Sequence, residues 1–480
     1  MIAIRTLLLL LIFSTLNAQQ WLDKKYSYDS LLNIVYGTAI DFNGTEDTLK
    51  MDLYLPRCDD PAQLSKKPLM VWIHGGAFLA GDRKDASITR MCKQFARRGY
   101  VTASIEYRLG FVSDDAAWTC NFPNYSCVFA SDSAEWIRAW YRGVQDAKGA
   151  VRYLVNRHAQ YRIDPDNIFV AGESAGSLIA LGVGLLDTIV ERMPQTYAIA
   201  PAPKPHNSTA ICAHNAGRSF TAADIPRPDL GGIDGTIESS ATNYTIKGIA
   251  NIYGAMFSDL LRHSKAGNTK PAIYSFHQPC DIVVPIDSGK VYAGLSWCMT
   301  NGYNCMAIAN TAKLYGSRGF SAWNNTNGYG YAIHNEFTTT SFPYNFLFGP
   351  GSCADQVNNP CHAYDNTTLR ENNLAAYFAP LISTSPLCEP GYTLTGLTTA
   401  TGQNEILVYP NPVESTLTLQ IQRSGAILLQ ISNTLGEVVK TVLLTGESTK
   451  ISAEELPAGI YNISVRFDSG AVKITRFSKL

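Results

Sequence analysis

Apolar runs of strand length alternate with helical segments along the first half of the chain, and this alternation constrains the fold most strongly. The runs at 68–74, 100–107 and 167–172 are nearly continuously apolar, as strands covered on both faces are. Between them, segments 87–99 and 141–161 place apolar residues at helical spacing. Strands that alternate with helices form a parallel sheet with helices on both sides, so we predict an α/β fold with a mostly parallel central sheet.

The composition changes near residue 389, where a Gly/Thr-rich stretch predicts a linker over residues 389–404. Short alternating runs follow, separated by turn signals such as Asn411-Pro412 and Ser469-Gly470. No helical pattern interrupts these runs, so residues 405–480 are predicted to form a small β-sandwich of about seven strands. The larger domain is then expected over residues 19–388.

The N-terminus has the pattern of a secretory signal peptide over residues 1–18. Arg5 supplies a positive charge, Leu7 to Phe13 form an apolar core, and Asn17-Ala18 offers small residues for cleavage. This apolar run is too short to cross a hydrocarbon layer of about 30 Å, and no other stretch is long and apolar enough to do so. We therefore expect an exported protein without a membrane span.

Eleven cysteines are many for a cytosolic protein, and several lie close together in sequence. In an exported chain, the short spacings predict small loops closed by disulfide bonds. Because the number of cysteines is odd, at least one of them is unpaired or bonded elsewhere. A zinc site is disfavoured because the sequence has no C-x-x-C pair. The expected disulfide pairs are Cys120/Cys127, Cys298/Cys305 and Cys353/Cys361.

Segment 288–380, rich in Asn, Gly and Tyr, predicts long ordered loops.

The formal net charge is −1 and no run of Lys or Arg occurs, which argues against nucleic acid or an anionic membrane surface as a partner. The acidic segment 224–235, "DIPRPDLGGIDG", lacks the spacing of an EF-hand loop, so a solvated turn is expected there rather than a calcium site.

Ser174 lies in "GESAG", between an apolar strand and a helix rich in small residues. The pattern G-x-S-x-G is weak alone, but a strand–turn–helix setting is what a strained nucleophile elbow requires. A second motif, "HGGAF" at residues 74–78, directly follows an earlier strand. Backbone N–H groups of Gly75, Gly76 and Ala175 are the expected donors of an oxyanion hole, because acyl transfer passes through a tetrahedral oxyanion.

Together these motifs resemble the esterase branches of the α/β-hydrolase superfamily, namely type-B carboxylesterases and hormone-sensitive-lipase-like enzymes. The resemblance covers roughly residues 36–340 and is most specific at 68–81 and 167–178. It implies an α/β-hydrolase fold for the larger domain and a triad in the chain order nucleophile, acid, histidine. It also implies that no metal or organic cofactor takes part.

The resemblance places the acid and the histidine downstream of Ser174. Asp281 follows the strand-like "AIYSFH" and precedes "IVVP", so it is the expected acid, with Asp259 and Asp287 as runners-up. His334, after a glycine-rich loop, is the preferred base, because the family carries its base on a late loop. His362 is the alternative, whereas His277 lies inside the strand and is expected to pack or face the surface.

Residues 405–480 contain the motifs "VYPNP", "TLGE" and "LPAGIY". With these motifs in family order, the segment resembles the type A C-terminal sorting domain of the type IX secretion system. The resemblance implies that this domain engages the type IX secretion machinery. The protein would then pass the periplasm of a Gram-negative bacterium to be secreted or displayed at the cell surface.

The leading hypothesis is a secreted serine carboxylic ester hydrolase acting on extracellular esters, such as cell-wall acyl esters, lipid esters or polyesters. The alternatives are a serine peptidase and a catalytically inactive adhesion protein of the same fold.

Overall fold

The computed structural model describes residues 21–57, 66–112, 130–203, 224–239, 242–262, 270–292, 311–338, 361–383, 406–421, 426–434, 436–444, 448–467 and 472–480. The chain divides into two compact units, residues 1–393 and 394–480. The predicted signal peptide and linker lie outside the described residues. The exact domain boundaries therefore stay predictions.

The first unit is an α/β structure. Its strands are β1 (Tyr28–Ile40), β2 (Glu46–Pro56), β3 (Lys67–Ile73), β4 (Val101–Ile105), β5 (Ile163–Glu173), β6 (Ile199–Pro203), β7 (Asp224–Arg227), β8 (Ile246–Ile252), β9 (Ala255–Met256), β10 (Ala272–His277), β11 (Ser288–Lys290), β12 (Lys313–Gly316) and β13 (Ile333–Phe337). Its α-helices are α1 (Ala86–Ala96), α2 (Ser133–Asn156), α3 (His158–Tyr161), α4 (Ala175–Leu185), α5 (Ser317–Asn327) and α6 (Thr367–Phe378). Short 3₁₀ turns lie at Ile189–Glu191, Pro194–Thr196 and Ala379–Leu381.

Eight strands form one sheet in the order β1-β2-β4-β3-β5-β8-β10-β13. The pairs from β4 to β13 are parallel, and β1 and β2 add an antiparallel edge. This confirms the predicted mostly parallel sheet. Because β5, β8 and β10 are neighbours, the loops that follow their carboxyl ends meet at one edge, where open α/β sheets bind ligands.

Both faces of this sheet are covered, which explains the continuous apolar runs. Along β3, Leu69, Val71 and Ile73 pack into one core, whereas Met70 and Trp72 pack into the other. Helices α2 and α4 contribute to the first core, and α1 and α6 contribute to the second. Each residue of β3 is therefore buried whichever way its side chain points.

The prediction of loops throughout 288–380 is wrong for the parts that the structure describes. These parts contain β12, α5, β13 and α6. Helix α5 has the sequence "SRGFSAWNNTN", whose Gly, Ser and Asn residues have low helix propensity. Tertiary packing stabilises it instead, since Phe320 is fully buried in the first core.

The second unit is all-β. Its strands are β14 (Ile406–Tyr409), β15 (Thr416–Ile421), β16 (Ala426–Ser432), β17 (Val438–Leu443), β18 (Ser448–Ser452), β19 (Gly459–Phe467) and β20 (Val472–Lys479). They form two antiparallel sheets, β14-β15-β18 and β17-β16-β19-β20. Leu417 and Leu419 from one sheet share a core with Leu429, Ile431 and Ile463 from the other. This arrangement is the predicted β-sandwich.

Candidate active site

Ser174 lies on a strained turn between β5 and α4. Its φ of 52° and ψ of −122° are unusual for a residue other than glycine, and α4 begins at the next residue. The turn is tight: a Cβ on Gly172 would lie 2.2 Å from the Gly176 carbonyl oxygen, and a Cβ on Gly176 would lie 2.2 Å from that of Ile73. Both glycines are thus required sterically, and Ser174 lies on a tight strand–turn–helix connection of the kind that the sequence predicts.

The HGG loop lies beside this turn. A Cβ on Gly75 would be 3.2 Å from the Cβ of Ser174, and both residues line the same cleft. Burial lowers the pKa of His74, whose Nδ1 is 2.8 Å from the Gly75 carbonyl oxygen. Because a peptide's C=O and N–H point in opposite directions, the Gly76 N–H points away from the His74 ring.

Ala175 opens helix α4, so its N–H has no acceptor within the helix. It follows Ser174 directly and adjoins the loop that carries Gly75 and Gly76. The three expected oxyanion donors are therefore grouped around Ser174.

Asp281 lies in the loop after β10 and is buried. Its Oδ1 accepts hydrogen bonds from the N–H groups of Val283 and Val284, at 2.8 and 2.9 Å. Its Oδ2 lies 3.1 Å from His277 Nε2 and 2.7 Å from His362 Nδ1. Burial alone would raise the pKa of Asp281, but the charge of His362 and hydrogen bonds from both histidines hold it below its ordinary value.

His362 connects Asp281 to Ser174. Its Nε2 lies 2.7 Å from Ser174 Oγ, and its Nδ1 faces the carboxylate of Asp281. A carboxylate only accepts hydrogen bonds, so Nδ1 carries the proton and Nε2 is left to accept one from the serine hydroxyl. The ring of Tyr253 packs edge-on against the imidazole, with centroids 4.8 Å apart. Ser174, His362 and Asp281 thus form one continuous hydrogen-bonded row.

The structure does not bring His334 to this row, so the preference for His334 over His362 is corrected here. His334 lies near the amino end of β13, where its ring stacks against those of Tyr274 and Tyr377 and its Nε2 is 3.2 Å from Glu336 Oε1. Ser174 and Asp281 instead follow the carboxyl ends of their strands. The glycine-rich approach to His334 indicated a loop, whereas the residue belongs to a strand of the sheet.

The other candidates also have different partners. Asp259 accepts a hydrogen bond from the Tyr329 hydroxyl at 2.6 Å, and Asp287 pairs with Arg318. His277 is buried as expected for a packed residue, but it contacts Asp281, a role that the sequence did not indicate.

One disulfide is present among the described residues, and it joins Cys280 to Cys361. The predicted pair Cys353/Cys361 is therefore wrong, because Cys361 has a partner 81 residues away in sequence. Cys92 is a free, buried thiol. The remaining predicted pairs, Cys120/Cys127 and Cys298/Cys305, lie outside the described residues.

Two recesses open at Ser174. An open cleft of about 710 Å³ is lined by Gly75, Gly76, Ala77, Asp85, Glu173, Ser174, Tyr253, Val283, Tyr292 and His362. A narrow apolar pocket is lined by Ala77, Phe78, Trp136, Ser174, Ala175, Leu178, Phe257, Val283, Val284, Val291, Tyr292 and Leu314. His362 lines the open cleft and not the apolar pocket.

Glu173 gives the open cleft a buried carboxyl group. Burial raises the pKa of Glu173 above its ordinary value, and its Oε2 accepts a hydrogen bond from Ser87 Oγ at 2.8 Å. This contact ties the elbow to the start of α1. Across the described ranges, no cluster of three or more His, Cys, Asp or Glu side chains is placed to hold a metal ion.

Comparison with known families agrees with this architecture. Residues 51–127 and 134–275 match the BD-FAE family, and residues 407–477 match the secretion system C-terminal sorting domain. This part of the first unit is therefore similar to a family of esterases. The second unit is similar to this sorting domain, which indicates secretion or cell-surface localisation. In the part of the chain that the structure describes, no helix is long and apolar enough to cross a membrane.

Curated relatives include a probable isoprenylcysteine alpha-carbonyl methylesterase of Arabidopsis thaliana, 30% identical over 28% of this chain and 22% of the relative. Another is the bile salt-activated lipase of Rattus norvegicus, 30% identical over 29% of this chain and 21% of the relative. This chain thus spans only about a fifth of the length of these relatives.

Similar solved structures include a truncated carbohydrate esterase from gut microbiota, with 14% identity, a TM-score of 0.36, and coverage of 74% of this chain and 98% of that one. A butyrate-bound esterase from Thermogutta terrifontis has 15% identity, a TM-score of 0.34, and coverage of 72% and 92%.

Proposed function

We propose that this protein is a secreted serine carboxylic ester hydrolase. In this proposal Ser174 is the nucleophile, His362 the base and Asp281 the acid. The observation that carries the proposal is the unbroken row of hydrogen bonds from Ser174 Oγ through His362 to Asp281, with 2.7 Å at each step. Nucleophilic catalysis requires a nucleophile and a base within hydrogen-bond reach of each other, and a third group that orients the base.

The mechanism follows from the proton positions. His362 Nε2 takes the Ser174 proton as Oγ attacks the ester carbonyl carbon, and the N–H groups of Gly75, Gly76 and Ala175 stabilise the oxyanion. The imidazolium then protonates the departing alcohol, and the ionised Asp281 stabilises that imidazolium. Water enters next and loses a proton to His362 as its oxygen attacks the acyl carbon. The bond between Ser174 Oγ and the acyl group then breaks, His362 returns the proton to Oγ, and the acid leaves.

The two recesses suggest how an ester lies in the site. The leaving alcohol must be near His362, which protonates it, so the open cleft is its place. The acyl chain then occupies the apolar pocket, whose walls include Phe78, Trp136 and Phe257. An ester with a small apolar acyl group and a polar or bulky alcohol fits this division best.

A panel of p-nitrophenyl esters beside a panel of aminoacyl anilides tests the proposed reaction. We expect turnover of the acetate and butyrate esters, weaker turnover as the acyl chain outgrows the apolar pocket, and no anilide cleavage. Preferential anilide cleavage would instead favour the serine peptidase, and a folded protein inert toward both panels would favour the adhesion protein.

Opening the apolar pocket should shift the acyl preference. Tyr292 is a half-buried wall residue of this pocket, so Tyr292→Ala is expected to raise kcat/KM for octanoate relative to acetate by about 5- to 50-fold, on the order of 1–2 kcal/mol from burial of the longer acyl chain. Tyr315→Ala is the matched control, because Tyr315 is half-buried but does not line the pocket. An unchanged octanoate-to-acetate ratio in Tyr292→Ala would contradict this placement of the acyl chain.

The second unit is proposed to direct export through the type IX secretion machinery and to take no part in catalysis. It has its own core, and the proposed catalytic residues all belong to the first unit. Deleting residues 405–480 should therefore leave kcat/KM for p-nitrophenyl acetate within about twofold, while the enzyme accumulates in the periplasm of a type IX host. Normal appearance of the truncated enzyme in the medium would contradict the sorting role.

A further inference from the structure

The disulfide lies directly beside the proposed acid and base. Cys280 immediately precedes Asp281, and Cys361 immediately precedes His362, with the two Cα atoms of the bridge 5.6 Å apart. Building on the proposed function, we propose that this disulfide is a positioning element that holds His362 against Asp281, so that full turnover requires the oxidised enzyme.

The segment that carries His362 is not a strand of the sheet. Strand β13 ends at Phe337, and α6 begins only at Thr367, so His362 lies in a connection between them. This position cannot be fixed by sheet hydrogen bonds. It has to be fixed by contacts with neighbouring loops.

Residues 361–363 are fastened to the loop that carries Asp281 at three adjacent points. Gln278 Nε2 donates to the Ala363 carbonyl oxygen at 2.8 Å, and His362 Nδ1 donates to Asp281. The third point is the Cys280–Cys361 bridge, which is the only covalent one of the three. Cys361 has a φ of 54°, a conformation that persists in a non-glycine residue only when its surroundings hold it.

Asp281, in contrast, is fixed independently of the bridge. The N–H groups of Val283 and Val284 hold its Oδ1, and His277 Nε2 approaches its Oδ2. His277 is in turn held by Ser317 Oγ, 2.9 Å from its Nδ1. Loss of the bridge should therefore leave the acid in place and release the base. A displacement of about 1 Å in a catalytic group can lower the rate about 10²-fold.

Reduction of the bridge can be written in balanced form. A dithiol such as dithiothreitol attacks one sulfur as its thiolate, its second thiol closes the reagent into a cyclic disulfide, and two electrons and two protons pass to Cys280 and Cys361. Two free thiols result, and the hydrogen bond between Gln278 and Ala363 remains as the adjacent non-covalent contact.

The test uses the full chain with Cys280→Ala/Cys361→Ala, and Cys92→Ala as the control, since Cys92 is a buried cysteine with a free thiol. The double variant is expected to lose about 10- to 100-fold in kcat for p-nitrophenyl acetate, with KM within about threefold, because the base moves and the recesses remain. Dithiothreitol should lower kcat of the wild type and of Cys92→Ala by a similar factor, reversibly, and should leave the double variant unaffected.

A folded double variant with wild-type kcat would overturn the proposal, as would a loss confined to KM. If the double variant does not fold, the reduced wild type decides: folded protein with free thiols at both positions and full kcat also overturns it. Failure of the proposed function is distinguishable, because the oxidised wild type would then neither hydrolyse esters nor react with a phosphonate at Ser174.

Discussion

Replacing Ser174 with alanine is expected to lower kcat for p-nitrophenyl acetate by at least about 10⁴-fold, because the nucleophile, base and acid act as one unit. The substitution removes only the hydroxyl that donates to His362, so the free energy of unfolding should change by less than about 1 kcal/mol. Steady-state kinetics and thermal unfolding of the purified variant measure the two quantities.

Ser177→Ala is the matched control for this substitution. Ser177 lies in the first turn of α4, and its hydroxyl donates to Asn251 Oδ1. This buried contact is separated from Asp281 by two intervening side chains, Ser317 and His277. We expect a loss of roughly 1–3 kcal/mol of stability, since a buried acceptor is left unpaired, with kcat within about threefold of wild type. Equal losses of kcat in both variants would show that Ser174 has no special role.

The second large effect is expected at His362. His362→Ala should lower kcat by about 10⁴-fold or more, because Ser174 then loses its proton acceptor and the leaving alcohol loses its donor. His334→Ala should keep kcat within about twofold, because the His334 imidazole stacks on Tyr274 and Tyr377 at another part of the sheet. Measured kcat values in the reverse order would restore His334 as the base.

The sequence predicts the parts of this site that are encoded locally. The elbow at Ser174 and the loop at Gly75 and Gly76 each follow a strand directly, so a short window contains both the element and the chemistry. The sequence indicates Asp281 for the same reason, since this residue follows β10 by a few positions. In each case the fold needs small or turn-forming residues at that place, and the sequence has them.

His362 was harder to assign because its position depends on distant contacts. It is 188 residues from Ser174 in sequence, and a disulfide spanning 81 residues anchors the residue before it. Close spacing favoured pairing Cys361 with Cys353, but the partner of a cysteine is set by proximity in space. Because Cys361 is bonded to Cys280, the residues that follow the two cysteines, His362 and Asp281, also come together.

The most direct test of the account is covalent labelling by an organophosphonate, followed by peptide mass spectrometry on the wild type, His334→Ala and His362→Ala. We expect one adduct, on Ser174, which forms at similar rates in the wild type and in His334→Ala and at least about 10²-fold more slowly in His362→Ala. Rapid labelling of Ser174 in folded His362→Ala, or a principal adduct on another residue, would contradict the assignment of Ser174, His362 and Asp281 as the catalytic row.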